Sequence, residues 1–368
     1  MAEASVAKNE VQTRYRDRPT PYEAWQKLEG IPVHTGSFIP ELIKVEVAPW
    51  PRIGAKGAFI NLAEQQENDC WVFEIAPATK TEVLHHAFEM SIYVVEGRGA
   101  TTFWQADQPA QTVEWQRGSI LSPPLNCYYQ HFNADGQQRV RMFMVTNAPM
   151  VINIYRNLDF IFDNPFVFND RYSGEADYFS GAGESMDREG NWWKTNFIPD
   201  VRTLKLAPSS RGWGGASGMQ WSLSNNQCVG HCTLMPAGTY KRAHRHGIGA
   251  HLVILDGQGY SLLWFEDEEA TRVDWKDGTV ISPMEGQFHQ HFSTGQGAVR
   301  YMAFRMGALD MRPATPRRTA QGAQGLDEGI RGIPYDLEDP AIYDLYVEEC
   351  AKNGAEVVLP RPAYRTTK

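Results

Sequence analysis

Hydrophobic and polar positions alternate over short stretches along most of the chain, and Gly, Pro or Asp interrupts the alternation at close intervals. Segments such as CWVFEIAP (70–77), SIYVVEGRG (91–99) and RVRMFMV (139–145) are rich in β-branched and aromatic residues. Alternation with a period of two, cut by turn residues, indicates short strands joined by tight turns. The pattern therefore predicts an all-β sandwich or barrel.

Helix signals lie outside these strand-rich stretches. Thr20 can serve as an N-cap, Glu23 completes a capping box with it, and Gly30 provides a stop signal. A second segment with the same kind of signals extends from Asp339 to Gly354. The sequence thus predicts short helices that flank the β-rich regions.

The chain contains an internal repeat at a constant offset of 160 residues. SIYVVEGRGATTFW (91–104) matches HLVILDGQGYSLLW (251–264), and QHF recurs at 130 and at 290. The match continues, on a register without gaps, to Met142 over Met302. A repeat of this length indicates a duplicated domain.

The repeat divides the chain into five predicted regions. They are an N-terminal extension with a helix (1–49), a first barrel (50–147), an interdomain segment (148–207), a second barrel (208–310) and a C-terminal extension with a helix (311–368).

Composition narrows the class of function. A formal net charge of −9 argues against nucleic acid as a partner, because phosphate binding needs a basic face. No apolar run is long enough to cross a bilayer, and the N-terminus lacks the apolar core of a signal peptide. Five cysteines without framework spacing suit a reducing compartment, so we expect a cytoplasmic protein without membrane partners.

Histidines are concentrated in the second repeat. His244, His246 and His251 fall within eight positions, and His289 and His291 form a second cluster. Residues two apart on a strand face the same side. Because burial of so many unliganded imidazoles would be costly, the pattern predicts a metal site.

Three further residues are candidate substrate anchors. Tyr240 and Arg242 have the strand parity of His244, and Gln287 precedes His289. Arg242 could hold a carboxylate through two hydrogen bonds, whereas Tyr240 and Gln287 could each donate one. An inward arginine can equally well pair with an acidic residue of the protein.

These residues resemble the two sequence motifs of the cupin superfamily. Gly238, His244 and His246 have the spacing of the first motif, and Gly278, Gly286 and His289 fall at the distances of the second. The sequence departs from the motifs in three places: Pro283 is one position early, Ser293 replaces Asn, and His251 occupies the usual glutamate position. The resemblance implies two tandem cupin barrels, that is, double-stranded β-helices of the jelly-roll type.

The first repeat does not preserve the histidine set. On the repeat register, Leu84 replaces His244, Ser91 replaces His251 and Tyr129 replaces His289, whereas His86 and His131 remain. Two imidazoles, even with Glu89 as a third ligand, make a weak metal site. We therefore expect one divalent metal per chain, in the second barrel.

A neutral histidine site leaves the full charge of a divalent metal in place and favours an anionic oxygen substrate beside O2. The resemblance to three-histidine cupins, including gentisate-type enzymes, implies an Fe(II) dioxygenase that cleaves a C–C bond of a small aromatic or carboxylated compound. The bound metal can also be Mn, Ni, Co, Cu or Zn. His251 is either a fourth ligand or an acid/base, and His291 is either catalytic or structural.

Two other functions fit the same sequence. One is a redox-neutral isomerase, lyase or decarboxylase with the same fold and a metal. The other is a ligand-binding or storage-like cupin without activity. We also expect a homo-oligomer.

Overall fold

The computed structural model describes residues 18–64, 67–106, 108–186, 192–208, 213–245, 250–266, 268–306 and 332–365. Within these ranges the chain forms two tandem β-barrels, each built from a large and a small sheet. The predicted all-β fold with two tandem barrels and short flanking helices is therefore confirmed. The predicted boundary between residues 310 and 311 lies outside the described residues.

Barrel 1 packs an eight-stranded sheet against a three-stranded one. The larger sheet contains β1 (Val33–Gly36), β3 (Ala48–Trp50), β4 (Ala55–Leu62), β5 (Asp69–Ile75), β6 (Met90–Glu96), β9 (Ile120–Leu121), β11 (Val140–Thr146) and β14 (Phe197–Ile198). The smaller sheet contains β7 (Arg98–Trp104), β8 (Gln111–Gln116) and β10 (Tyr128–Asn133).

Barrel 2 packs a nine-stranded sheet against a four-stranded one. The larger sheet contains β2 (Phe38–Ile39), β12 (Gly183–Ser185), β13 (Trp192–Thr195), β15 (Ala207–Pro208), β16 (Ser217–Leu223), β17 (Cys228–Met235), β19 (His251–Asp256), β22 (Val280–Ile281) and β24 (Val299–Met306). The smaller sheet contains β18 (Thr239–Tyr240), β20 (Gly259–Trp264), β21 (Thr271–Asp274) and β23 (Phe288–Ser293).

Four α-helices lie outside the sheets in the described residues: α1 (Pro21–Glu29), α2 (Ala148–Tyr155), α3 (Leu158–Phe162) and α4 (Pro340–Lys352). Thr20 accepts a hydrogen bond from the backbone N–H of Glu23, and Gly30 ends α1 in the left-handed conformation, as predicted. Asp339 caps α4 in the predicted way. One face of α4 covers the outer side of the small sheet of barrel 2.

The two copies correspond at an offset of 160 residues until the last strand, where the offset is 159. Met142 in β11 pairs with Phe73, and Tyr301 in β24 pairs with Thr233, which is the counterpart of Phe73. The gapless match of Met142 with Met302 was therefore wrong. The loop before β24 is one residue shorter, so the inward position of Met142 is held by Tyr301 in barrel 2.

The two barrels share one hydrophobic core between their larger sheets. Val72 and Phe143 from barrel 1 pack in this shared core with Trp221, Cys232 and Phe304 from barrel 2. The strands also cross between the barrels, because β2 pairs with β22 of barrel 2 and β14 pairs with β9 of barrel 1. The sheet contacts therefore do not follow the predicted region boundaries at 49 and 207.

Each barrel also inserts an asparagine into the other. Asn68, which precedes β5, lies 3.0 Å from Nε2 of His251 through its Oδ1. Asn226, which lies between β16 and β17, donates to the hydroxyl of Ser122 at 2.8 Å. Both asparagines are fully buried, so these hydrogen bonds replace contacts with water.

The aromatic segment between the two copies covers barrel 1. Phe162 of α3 stacks on Trp25 of α1, and Phe179 stacks on Phe103 of β7. Arg171 reaches across to the backbone carbonyl of Asn225 in barrel 2. The segment therefore combines packing across both barrels with a wall over one end of barrel 1.

The buried His251 makes stability depend on pH. Burial lowers the pKa of His251 to about 3, whereas an unfolded imidazole has a pKa of about 6.5. Between these values the unfolded chain binds one proton more, so the folded state loses stability as the pH falls. His251→Gln should therefore reduce the pH slope of the unfolding free energy in this window by about 1.4 kcal/mol per pH unit.

Urea unfolding at several pH values measures this slope. Ser282→Ala is the matched control, because it removes the hydrogen bond to Nδ1 of His251 and leaves the imidazole in place. It should lower stability and keep the wild-type slope. An unchanged slope in His251→Gln would contradict the buried, neutral state of His251.

Candidate metal centre in barrel 2

An extra residue in the strand that leads to His244 decides which side chains enter barrel 2. Tyr240 pairs with Phe292, and His244 pairs with His289. Between these pairs one strand advances four residues (240 to 244) and the other three (292 to 289), which defines a β-bulge. Because side chains alternate, the bulge reverses the faces on its two sides.

The bulge corrects the prediction that Tyr240 shares a face with His244. Tyr240 is fully buried on the outer side of the sheet under α4, and its hydroxyl donates to Glu338. Burial raises the pKa of Glu338 to about 7. Tyr240 therefore supports the C-terminal extension and does not face the interior with the histidines.

His244 and His289 lie side by side, with ring centroids 4.2 Å apart. Nδ1 of His244 is 3.1 Å from the carbonyl oxygen of Arg242, and Nδ1 of His289 is 3.2 Å from that of Gln287. A carbonyl can only accept, so each Nδ1 carries the proton and each Nε2 presents a lone pair. This tautomer is the one that metal-binding histidines adopt when a carbonyl orients the ring.

His291 is as buried as His289, and the centroids of the two rings are 5.6 Å apart. Its Nδ1 is 2.8 Å from the Ser261 hydroxyl, which accepts a hydrogen bond from the Trp275 indole. Ser261 can then give its own proton to Nδ1, which leaves the His291 proton on Nε2. Barrel 1 repeats the arrangement with His131, Thr101 and Trp115. The repetition supports a structural hydrogen bond, and a catalytic role for His291 stays a prediction.

His251 does not lie with these histidines. It has the parity of Val253, which faces the shared core, and its two ring nitrogens contact Ser282 and Asn68. Its neighbour Ala250 belongs to the interior of barrel 2 instead. The first cupin motif allows three or four residues between its second histidine and its glutamate. If three residues follow His246, the glutamate position falls on Ala250 and not on His251. The prediction that His251 is a metal ligand or an acid/base of this site is therefore corrected. Its position on β19 directs the side chain to the shared core.

His246, the remaining predicted ligand, lies outside the described residues. Within the described ranges, no group of three His, Cys, Asp or Glu side chains is arranged to hold a metal ion. The described donors, His244 and His289, fit a metal by spacing and tautomer. A three-histidine centre requires His246 as well.

The other two predicted anchors, Arg242 and Gln287, each lie two residues before one of the paired histidines, and a substrate contact of either stays a prediction. Arg242 orients His244 through its carbonyl, and its guanidinium is close enough to Tyr335 to oppose the rise that burial causes in the Tyr335 pKa. Gln287 holds a turn through the bond from the Met284 N–H to its side-chain oxygen. Both residues therefore position the histidine strands.

Sequence reasoning missed two residues that do enter barrel 2, Lys241 and Tyr301. The Lys241 ammonium donates to the Tyr301 hydroxyl at 2.5 Å, and the Tyr301 ring lies 5.7 Å from that of His291. His231 packs edge-on against the same tyrosine at 6.4 Å. The bulge turns Lys241 inward and the shorter last loop brings Tyr301 to this position, so neither has a simple signal in the strand pattern.

Barrel 1 lacks the corresponding pair of imidazoles. It has the same bulge, since Lys80 pairs with Phe132 and Leu84 with Tyr129. His86 donates from Nδ1 to the Phe88 carbonyl at 2.8 Å and accepts from the Tyr129 hydroxyl at 2.7 Å. The Tyr129 hydroxyl is therefore hydrogen-bonded to Nε2 of His86, the nitrogen that would otherwise be directed at a metal.

Glu89 is not a ligand in barrel 1 either. Its carboxylate accepts from the Gln227 N–H at 2.6 Å and lies 3.4 Å from Arg171. Burial raises the pKa of Glu89 despite these partners. The residue joins the two barrels, away from His86.

No family model and no curated protein matches the chain. Among solved structures, oxalate decarboxylase from Bacillus subtilis is similar with a TM-score of 0.49 at 11% identity, over 79% of this chain and 84% of that one. Vicilin from hazelnut (Corylus avellana) is similar with a TM-score of 0.48 at 11% identity, over 78% and 93%. A structural similarity with TM-scores below 0.5 does not indicate a function for this chain. No helix in the described ranges is long and apolar enough to span a membrane.

The placement of the histidines can be tested by metal retention. Because His289 faces the site and His251 faces the shared core, His289→Ala should lose bound metal and His251→Ala should keep it. Elemental analysis of the purified variants measures both. Loss of metal from His251→Ala, with its circular dichroism spectrum intact, would contradict this placement.

Proposed function

We propose that barrel 2 binds one divalent metal through His244, His246 and His289 and is the active centre of an enzyme for a small oxygenated anion. The observation that carries the proposal is the pair of adjacent imidazoles whose tautomers are fixed by backbone carbonyls. Such a pair is suited to present both Nε2 lone pairs to one ion. The motif resemblance to cupins adds His246 as the third ligand.

Charge around the site supports an anionic substrate. Histidine ligands are neutral, so the metal keeps its charge of two, and Lys241 contributes a cation on the same inner face. The Lys241 ammonium and the Tyr301 hydroxyl can both bind carboxylate or phenolate oxygens. A small aromatic or carboxylated compound fits this combination.

Within this frame we propose an Fe(II) dioxygenase that cleaves a C–C bond of its substrate with O2. The metal would supply open positions for substrate oxygens and for dioxygen. Lys241 binds the substrate anion, Tyr301 orients it and His291 holds a proton at the inner end of the site. Mn, Co, Ni, Cu and Zn accept the same ligands, so ligand type alone does not select iron.

A redox-neutral lyase, isomerase or decarboxylase is the second candidate, and a specific contact favours it. Lys241, Tyr301 and His291 form a short series of proton-carrying groups beside the histidine pair. Reactions of this class move protons and need no oxygen.

The cytoplasmic location and the homo-oligomer stay predictions.

Oxygen consumption separates the two reactions. With a panel of diphenols, diketones and hydroxy acids, the iron-loaded protein should consume O2 in proportion to substrate lost, and His244→Ala should abolish turnover. His86→Ala in barrel 1 is the matched control and should retain activity. Turnover of a substrate at an unchanged rate without oxygen would instead establish the redox-neutral reaction.

Lys241 should contribute substrate binding rather than metal binding. A charge-assisted hydrogen bond contributes ~1.5–3 kcal/mol, so Lys241→Met should raise KM at least about tenfold and change kcat less. Lys80→Met, beside Phe132 in barrel 1, is the control and should keep the wild-type KM. An unchanged KM in Lys241→Met, with metal content intact, would exclude Lys241 from the substrate site.

A further inference from the structure

Barrel 1 contains a cavity of about 240 Å³, partly open to solvent, at the end where Leu84 and Tyr129 replace the paired histidines of barrel 2. Protein interiors are close-packed and rarely leave voids larger than a water molecule. A dry cavity of about 150 Å³ can accept benzene. The space in barrel 1 is therefore large enough for a substituted single ring.

Aromatic rings form the walls of this cavity. Trp50 packs edge-on against Trp71 and Phe73 at 5.6 and 5.5 Å, and Phe88 packs edge-on against Trp71 and Phe162 at 5.5 and 5.8 Å. All five rings line the cavity. Rings that brace one another hold the walls in place, and their faces and edges suit a flat aromatic guest.

One polar contact lies among the rings and has a defined direction. His86 donates from Nδ1 to Phe88, so its Nε2 must accept the proton of the Tyr129 hydroxyl. Because this hydroxyl proton is already used, the Tyr129 oxygen can offer only a lone pair to a guest. A guest therefore matches the cavity best when it donates a hydrogen bond.

The described lining residues do not favour a negatively charged guest. The Arg52 guanidinium is bound to Glu29 at 2.6 Å and lies over the Phe162 ring at 4.3 Å. The exposed Asp163 adds a negative charge at the opening. Burial lowers the pKa of His86 to about 3 and also lowers that of His85, so both rings are neutral near pH 7.

We infer that barrel 1 binds a small neutral aromatic molecule that carries one hydrogen-bond donor, with phenol as the simplest member of the class. The ring lies among the tryptophans and phenylalanines, and its hydroxyl donates to Tyr129. This site is separate from the proposed metal centre and needs no metal. Barrel 1 is then a binding domain that has exchanged the metal ligands of its partner barrel for an aromatic cavity.

Calorimetric titration of the full chain with phenol tests the inference. Phenol should bind saturably at one equivalent per chain. Benzoate, which matches it in ring size and carries a charge, should bind much more weakly. His289→Ala in barrel 2 should leave phenol binding unchanged, which separates this result from the fate of the proposed function.

Two variants test the location and the polar contact. Val83 lies at the opening with 48% of its surface exposed, so Val83→Trp should block entry without disturbing the core and weaken binding at least tenfold. Val358, 57% exposed on the C-terminal segment, provides the matched control Val358→Trp, which should bind like wild type. Tyr129→Phe removes the hydroxyl oxygen to which the guest donates and leaves Nε2 of His86 as an acceptor in a different position, so it should weaken phenol binding about three- to tenfold.

Three results would overturn the inference. They are the absence of saturable phenol binding, phenol binding that survives Val83→Trp unchanged, and benzoate binding as strong as that of phenol. Loss of phenol binding in His289→Ala would place the bound molecule in barrel 2 and would overturn it as well.

Discussion

The core shared by the two large sheets is the constraint on which the rest of the structure depends. Trp221 and Phe304 of one barrel pack with Val72 and Phe143 of the other, and short strands pair across the boundary in both directions. Such burial is non-directional, so it does not by itself fix the alignment of the sheets. Directional hydrogen bonds from buried asparagines, such as the contact of Asn68 with His251, supply that alignment.

One face of each barrel packs in the shared core, which does not involve the interior of either barrel. The two interiors can therefore differ from each other. Both copies keep the β-bulge and the series of indole, hydroxyl and imidazole groups that brace the small sheet. In barrel 1, rings such as Trp50 and Trp71 line a cavity, whereas the interior of barrel 2 contains Lys241 and Tyr301. One scaffold thus holds an apolar cavity in one copy and a set of polar, proton-carrying groups in the other.

The sequence predicted the features that follow from local pattern. It failed to predict side-chain directions that depend on the pairing register of two strands. The internal repeat, the strand-rich barrels and the cap of α1 at Thr20 follow from periodicity and local hydrogen bonding. Tyr240 was placed on the wrong face because a bulge is an insertion in one strand relative to its partner, which becomes visible when both strands are paired. His251 was misplaced for a related reason, since a shift of one residue in the motif reverses the direction of a strand side chain. Lys241 was missed because it turns inward at that bulge.

The central claim is that a chain with two barrels holds one metal, because barrel 2 has the imidazoles of His244 and His289 paired, whereas in barrel 1 the Tyr129 hydroxyl is bound to Nε2 of His86. Metal analysis of the wild-type chain, purified without chelator and reconstituted with excess Fe(II) under anaerobic conditions before desalting, tests this claim most directly. The account predicts one tightly bound metal equivalent per chain. Two equivalents, or none, would contradict it.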